Sequence, residues 1–149
     1  MNKSMNTLNF LDANVWLALI WSRHVHSEKA RSWFEQASNS NNEEQFFFCR
    51  FTQITVLRLL TTDQIMGKET RTMSGAWSLW DQVWADTRIS FLPEPDDLEK
   101  EFRSRTRMSS RSPKIWADAY LLAFATVSGL KFVTFDHALQ SRGADVLVL

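Results

Sequence analysis

At 149 residues the chain is sized for one domain that buries about two-thirds of its unfolded surface, and 1–149 reads as a single unit. Seventeen basic residues balance seventeen acidic ones, which excludes a protein that coats nucleic acid through bulk charge but leaves local basic patches open. No window approaches the ~20 apolar residues of a membrane span, and no apolar signal core follows the polar start Met1–Thr7, so a cytoplasmic protein is expected.

In chain order, Leu8–Leu11 reads as a short buried strand, and Val15–Trp21 as the helix after it. Ser27–Ala37 fits a helix with Ala30, Trp33, Phe34 and Ala37 at three- and four-residue spacing. A polar turn, Ser38–Asn42, precedes a second strand at Phe46–Cys49. Cys49, the sole cysteine, reads as a small buried hydrophobe in a reducing compartment. Thr52–Leu60 is a third helix and Arg71–Trp84 a fourth, whose Trp77, Trp80 and Trp84 form a stripe expected to pack in the core or against a second copy. Ile89–Leu92 is a strand stopped by Pro93 and Pro95, and Asp96–Phe102 a helix with an acidic start and a basic end. Ser112 and Pro113 mark a helix start, serine at the N-cap and proline at N1, and Gly129 marks its end. Lys131–Phe135 and Val146–Leu149 close the chain as strands. Strands separated by helices call for an α/β fold with a mainly parallel sheet of four to five strands, covered on both faces.

Three aspartates carry the chemical information. Asp12 and Asp136 close apolar strands, and Asp118 lies on the helix before the second of them. In an open α/β sheet these positions face one crevice, the usual place for a ligand. Two carboxylates ~5 Å apart at an effective dielectric of ~20 repel by roughly 3 kcal/mol. A shared Mg²⁺ or Mn²⁺ would relieve that repulsion and bring phosphate chemistry with it. Each residue also has a plainer reading: Asp12 and Asp136 as helix caps, worth about 1 kcal/mol each. Asp118 is harder to explain that way, because its helix is otherwise apolar from Ile115 to Val127. His24, His26 and His137 have no metal-ligand spacing. Arg103 to Lys114 holds five basic residues and no acidic one. It reads either as a solvated connector or as a phosphate-binding segment through Arg107, Arg111 and Lys114.

The stretch Leu11-Asp12-Ala13-Asn14-Val15-Trp16-Leu17 resembles the opening motif of the PIN-domain nucleases, more narrowly the VapC toxins of bacterial toxin–antitoxin pairs. Thr52–Thr61, Pro113–Leu121 and Val133–Asp136 resemble further stretches of that family, in family order and across nearly the whole chain. The resemblance implies a three-layer α/β/α PIN-like fold. It also implies a metal-dependent endoribonuclease that hydrolyses RNA with activated water, leaving a 5′-phosphate and a 3′-hydroxyl. Asp12, Asp118 and Asp136 match the metal-binding positions, with Asn14 a supporting catalytic group and Thr134 a supporting group toward substrate. Gln53 matches a position usually held by glutamate, so it enters the expected catalytic set without a charge for a metal. On that placement Gln53→Glu would tighten Mg²⁺ binding; as a simple exposed helix residue, Gln53 would have no such effect.

The same resemblance implies a homodimer held inactive by a cognate VapB-like antitoxin. The Gln53 departure keeps a second reading open, a non-catalytic PIN-like module that binds RNA or protein. A phosphatase with Asp12 as nucleophile is weaker, since Asp12-Ala13-Asn14 lacks the second aspartate such enzymes use. A phosphate-receiver domain is weaker too, for want of a lysine in the matching C-terminal strand.

Overall fold

The computed structural model describes residues 7–39 and 43–149. The expected turn therefore falls partly, at residues 40–42, outside the described residues, as does nearly all of the polar start. Five strands, β1 (Leu8–Leu11), β2 (Gln45–Phe48), β3 (Ile89–Phe91), β4 (Lys131–Thr134) and β5 (Val146–Val148), form one sheet in the order β3-β2-β1-β4-β5. Every pairing is parallel. The chain thus starts in the middle of the sheet, runs to one edge, and returns to build the other half, which makes β1 and β4 the neighbours at the switch point.

Strand alternation feeds two separate cores, because successive side chains leave opposite faces of a sheet. Leu11, Phe46, Phe48 and Val133 pack with Trp16 and Leu17 of α1 (Ala13–Ile20), Val56 and Leu60 of α3 (Arg50–Leu60), and Trp80 of α5 (Met73–Trp84). Trp33 and Phe34 of α2 (Ser27–Ser38) cover the same face. Phe10 and Phe132 go the other way, to Leu98 of α6 (Leu98–Arg105) and to Leu121, Leu122 and Phe124 of α7 (Ile115–Ser128). Phe10 and Phe124 stack with centroids 4.7 Å apart, joining the central strand to α7. The result is the expected three-layer arrangement, with five parallel strands and no antiparallel pair among the described residues.

Several boundaries differ from the sequence reading. β2 ends at Phe48 because Cys49 leaves the ladder to cap α3: its backbone N–H donates to Thr52 Oγ1 at 3.0 Å. A short helix α4 (Asp63–Met66) and a 3-10 turn at Gly67–Glu69, absent from the sequence reading, link α3 to α5. Asp97 enters α6 with a left-handed backbone, φ 66°, which delays that helix to Leu98. α6 then continues to Arg105, with Glu99–Arg103 and Glu101–Arg105 ion pairs along it, so Arg103 and Arg105 belong to a helix and not to a basic connector.

Ser112 does not cap α7. The Ile115 N–H bonds the Ser112 carbonyl at 3.0 Å in a preceding turn, and the helix begins two residues after Pro113 without a side-chain cap. Gly129 ends it as expected, at φ 68°. The tryptophan stripe splits: Trp80 is 2% exposed, while Trp77 and Trp84 are 47% and 49% exposed. Among the described residues no helix is long and apolar enough to cross a membrane.

Candidate active site

Parallel pairing of β1 with β4 sets Leu11 beside Val133, so the next residues, Asp12 and Thr134, emerge together at the carboxyl end of the sheet. The Asp12 N–H closes the ladder on the Val133 carbonyl at 2.9 Å. Beyond it the Asp12 carboxylate has two fixed donors. Oδ1 accepts the Ala13 N–H at 2.7 Å, the N-cap bond of α1, and Oδ2 accepts the Thr134 hydroxyl at 2.8 Å. Thr134 Oγ1 in turn accepts the Asp136 N–H at 3.1 Å. Asp136 Oδ1 accepts the Ala138 N–H at 2.9 Å and caps the 3-10 turn His137–Leu139. The capping reading of Asp12 and Asp136 therefore holds, and Thr134 links the two residues.

Asp118 comes to this end of the sheet on the first turns of α7. Burial pushes the Asp12 carboxyl above its ordinary value; the Thr134 and Ala13 hydrogen bonds oppose the rise, and the charges of Asp118 and Asp136 add to it. Asp118 is raised as well, by burial first and by Asp136 second, with Arg142 opposing. Asp12 thus senses Asp118 and Asp136, which lie more than a hundred residues further along the chain.

Among the described residues no group of three or more His, Cys, Asp or Glu is drawn tightly enough to enclose a metal ion. The donor chemistry nevertheless fits a hard divalent cation of the Mg²⁺ kind. Such an ion is usually held by one or two carboxylates and keeps several waters, so an open cluster of oxygen donors suits it. Asp12, with both oxygens already oriented, and Asp118 are the residues that would hold it. Asp136, exposed at the rim, would complete the set.

The remaining expected site residues are placed less uniformly. Thr134 is fully buried, so a direct substrate contact is corrected to a positioning role through its bond to Asp12. Asn14 is exposed on the first turn of α1, beside the cluster in sequence. Gln53 is 6% exposed, which overturns the reading of it as an exposed helix residue. Its Oε1 accepts from Arg50 Nη1, and both residues line a cavity of about 350 Å³ with Phe48, Trp80 and Phe91 on the β2–β3 side. Arg50 lies 4.8 Å from the Phe91 ring centroid. Gln53 therefore has Arg50, three residues earlier on the same helix, as its hydrogen-bond partner.

Arg107, Arg111 and Lys114 are exposed on the segment leading into α7, and Arg111 borders an open cavity of about 310 Å³ with Ser112, Pro113 and Trp116. Burial raises the Cys49 thiol, which removes it from consideration as a nucleophile. Two further arginines share a cavity with one of the carboxylates: Arg105, counted in the basic run but not singled out, and Arg142, which the sequence reading passed over. Arg105 and Arg142 line a cavity of about 190 Å³ together with Asp118. Nothing in Ser141-Arg142-Gly143 marks a site by pattern, since only folding of the loop after β4 brings it to α7.

The PIN-domain family profile matches residues 10–144. The chain is 39% identical to ribonuclease VapC41 of Mycobacterium tuberculosis over 136 residues, covering 89% of this chain and 91% of that protein. It is 29% identical to ribonuclease VapC44 of the same organism over 141 residues, 87% of this chain and 86% of that protein. Its fold is shared with the crystal structure of M. tuberculosis VapC20, a sarcin–ricin loop cleaving toxin, at a TM-score of 0.65 and 17% identity over 91% of this chain and 95% of that one. It is also shared with VapBC2 of Rickettsia felis, bound to a promoter DNA fragment, at a TM-score of 0.66 and 9% identity over 97% and 98% of the two chains. By the family match along nearly its whole length and its identity to a ribonuclease of the same size, the chain belongs to the PIN-domain family, as a VapC-type nuclease.

Proposed function

We propose that the protein is a divalent-metal-dependent endoribonuclease, the toxin of a type II toxin–antitoxin pair, and that it hydrolyses RNA phosphodiester bonds at the Asp12–Asp118–Asp136 cluster. The observation that carries this reading is the pairing of Asp12 and Asp136 through one buried Thr134 hydroxyl at the ends of β1 and β4, with the charge of Asp118 bearing on Asp12. Bound there, Mg²⁺ or Mn²⁺ would supply a Lewis acid that activates water and polarises a phosphoryl oxygen.

The chain's own residues perform the rest. Thr134 and the Ala13 N–H keep the Asp12 carboxylate in one orientation, and each bond favours its anionic form. Asp136 is exposed and anchored by the Ala138 N–H, so its carboxylate would remain accessible to a metal ion or an approaching strand. Asn14 lies within the same turn as Asp12 and offers a neutral donor to a phosphate oxygen. Arg107, Arg111 and Lys114 would hold flanking phosphates without reading sequence. Nothing in this arrangement requires a covalent enzyme intermediate.

The partners follow from the same reading. A VapB-like antitoxin would occupy the crevice, as the toxin–antitoxin complex of the R. felis relative makes reasonable for this fold. Ile54, Met73 and Trp77 are exposed on α3 and α5, and they support a homodimer through that face. A cytoplasmic location suits the RNA substrate. Titration of purified, antitoxin-free protein with Mn²⁺ or Mg²⁺ while following a labelled RNA pool tests the proposal, with Asp118→Asn in parallel. Cleavage that needs the metal and is lost in the variant is the expected result.

The second reading, a non-catalytic PIN-like module, is favoured by one observation: Gln53 is tied to Arg50 and supplies no carboxylate. Absence of metal binding in the same titration would establish it.

A further inference from the structure

Resting on the ribonuclease reading, we infer that the cavity beside Asp118 receives a single RNA base next to the cut phosphate. Arg142 reads the edge of that base and favours guanine. The cavity measures about 190 Å³. That exceeds the roughly 150 Å³ that holds one benzene ring and falls short of the ~300 Å³ at which sites for larger ligands begin, so one planar ring system is the matching occupant. Its walls are apolar, made by Ile115, Ala119 and Leu122 of α7 and by Leu139. A lone phosphate would leave those walls unused, and an acidic peptide side chain would meet the Asp118 carboxylate at the mouth.

The two arginines have different duties. Arg105 donates from Nη1 to the Arg142 carbonyl at 2.6 Å and from Nη2 to Thr126 Oγ1 at 3.0 Å, with its Nε 3.1 Å from the Glu101 carboxylate. Its side chain is only 13% exposed, and it ties the backbone of Arg142 to α6 and α7. The Arg142 guanidinium, by contrast, makes no hydrogen bond or ion pair among the described residues, and Arg142 lines the cavity with Asp118. Such a fork on a fixed backbone matches two adjacent acceptors. Guanine presents O6 and N7 in that way, whereas adenine and cytosine place an amino donor in the corresponding region. RNA bases are read in this manner when they are unstacked from a single strand.

The test is Mn²⁺-dependent cleavage of a random-sequence RNA pool, with the cut sites sequenced for wild type, Arg142→Gln and Ala119→Leu. Wild type is expected to enrich guanine about tenfold or more at one fixed position beside the cut. Arg142→Gln, at an exposed residue, should bring that enrichment to within about twofold, and Ala119→Leu, which fills the cavity, should do the same. Unchanged enrichment in Arg142→Gln overturns the inference whether or not the Ala119 variant folds. Unchanged enrichment together with weakened antitoxin association would assign the cavity to a protein side chain instead. If wild type cuts no RNA, the ribonuclease reading has failed on its own, and the cavity is then read by saturation-transfer NMR with guanosine 5′-monophosphate and ribose 5-phosphate. Transfer to guanine H8 that is lost in both variants upholds a base site, and equal signals from wild type and Arg142→Gln overturn it.

Discussion

The Thr134 hydroxyl donates to Asp12 Oδ2 at 2.8 Å, and Thr134 Oγ1 accepts the Asp136 N–H at 3.1 Å. Because Oγ1 receives a proton from the backbone of Asp136, its own proton is directed at Asp12. One buried threonine thus fixes a carboxylate on β1 and the backbone at Asp136 after β4. The register Leu11 opposite Val133 is what makes this possible, since a one-residue slip would turn Thr134 to the other face.

Removing that hydroxyl should therefore loosen the site more than the fold. Thr134→Val is expected to destabilise by about 1.5–3 kcal/mol, since the lost bond is to an ionised acceptor. Metal affinity should fall about tenfold to a hundredfold, in the range seen for residues that orient metal ligands. Thr134→Ser should restore most of both. Calorimetric Mn²⁺ titration and denaturant unfolding measure the two effects separately, and unaltered metal affinity in the valine variant would deny Thr134 its positioning role.

Neutralising one carboxylate should separate activity from stability. In Asp118→Asn, RNA cleavage should fall by about a hundredfold or more. The metal-free protein should unfold at the same or higher denaturant concentration, because repulsion from Asp136 is relieved. Asp12→Asn should lose cleavage alike, but its single amide oxygen can accept from the Ala13 N–H or from the Thr134 hydroxyl and not from both, so its metal-free stability should fall relative to Asp118→Asn. Unchanged Mn²⁺ affinity in Asp12→Asn would instead make Asp12 a helix cap and support for Thr134 without a metal role.

The pH dependence has a definite sign. Asp12 and Asp118 bind a proton more tightly folded than unfolded, owing first to burial. Their contribution to stability is complete below the ordinary carboxyl value of 3.8 and is lost as pH rises through the raised folded values. Relative to the Asp12→Asn/Asp118→Asn double variant, metal-free wild type should become progressively less stable as pH rises through the range just above 3.8. Saturating Mg²⁺ should reverse that trend, since the ion displaces the protons. Thermal unfolding of both proteins with chelator and with Mg²⁺ provides the comparison, and parallel curves would uncouple these carboxyls from folding.

Gln53→Glu tests whether the fourth family position takes part in metal binding. The resemblance by itself leads to tighter Mg²⁺ binding in this variant. The observed partner of Gln53 is Arg50, so a glutamate would form an ion pair there, and Mn²⁺ affinity should stay within about twofold of wild type. A tenfold gain in affinity would mean that the side chain turns to the cluster when metal binds.

Much of this protein follows from its linear pattern. Short apolar runs at Leu8, Phe46 and Lys131 became central parallel strands because both of their faces are covered, and a carboxylate at a strand end marks itself by polarity alone. Gly129 ended α7 where its residue type demanded, since φ 68° suits glycine. Tertiary structure decided what depends on long-range register and side-chain direction. The pairing of β1 with β4 turned Thr134 from a supposed substrate contact into a buried support for Asp12. The rotation of α5 buried Trp80 while leaving Trp77 and Trp84 half exposed, whereas Gln53 meets Arg50 through local i, i+3 spacing on α3. The loop after β4 delivered Arg142 to α7. Local pattern records which residues must leave water, whereas the partners they meet are set by contacts between segments far apart in the chain.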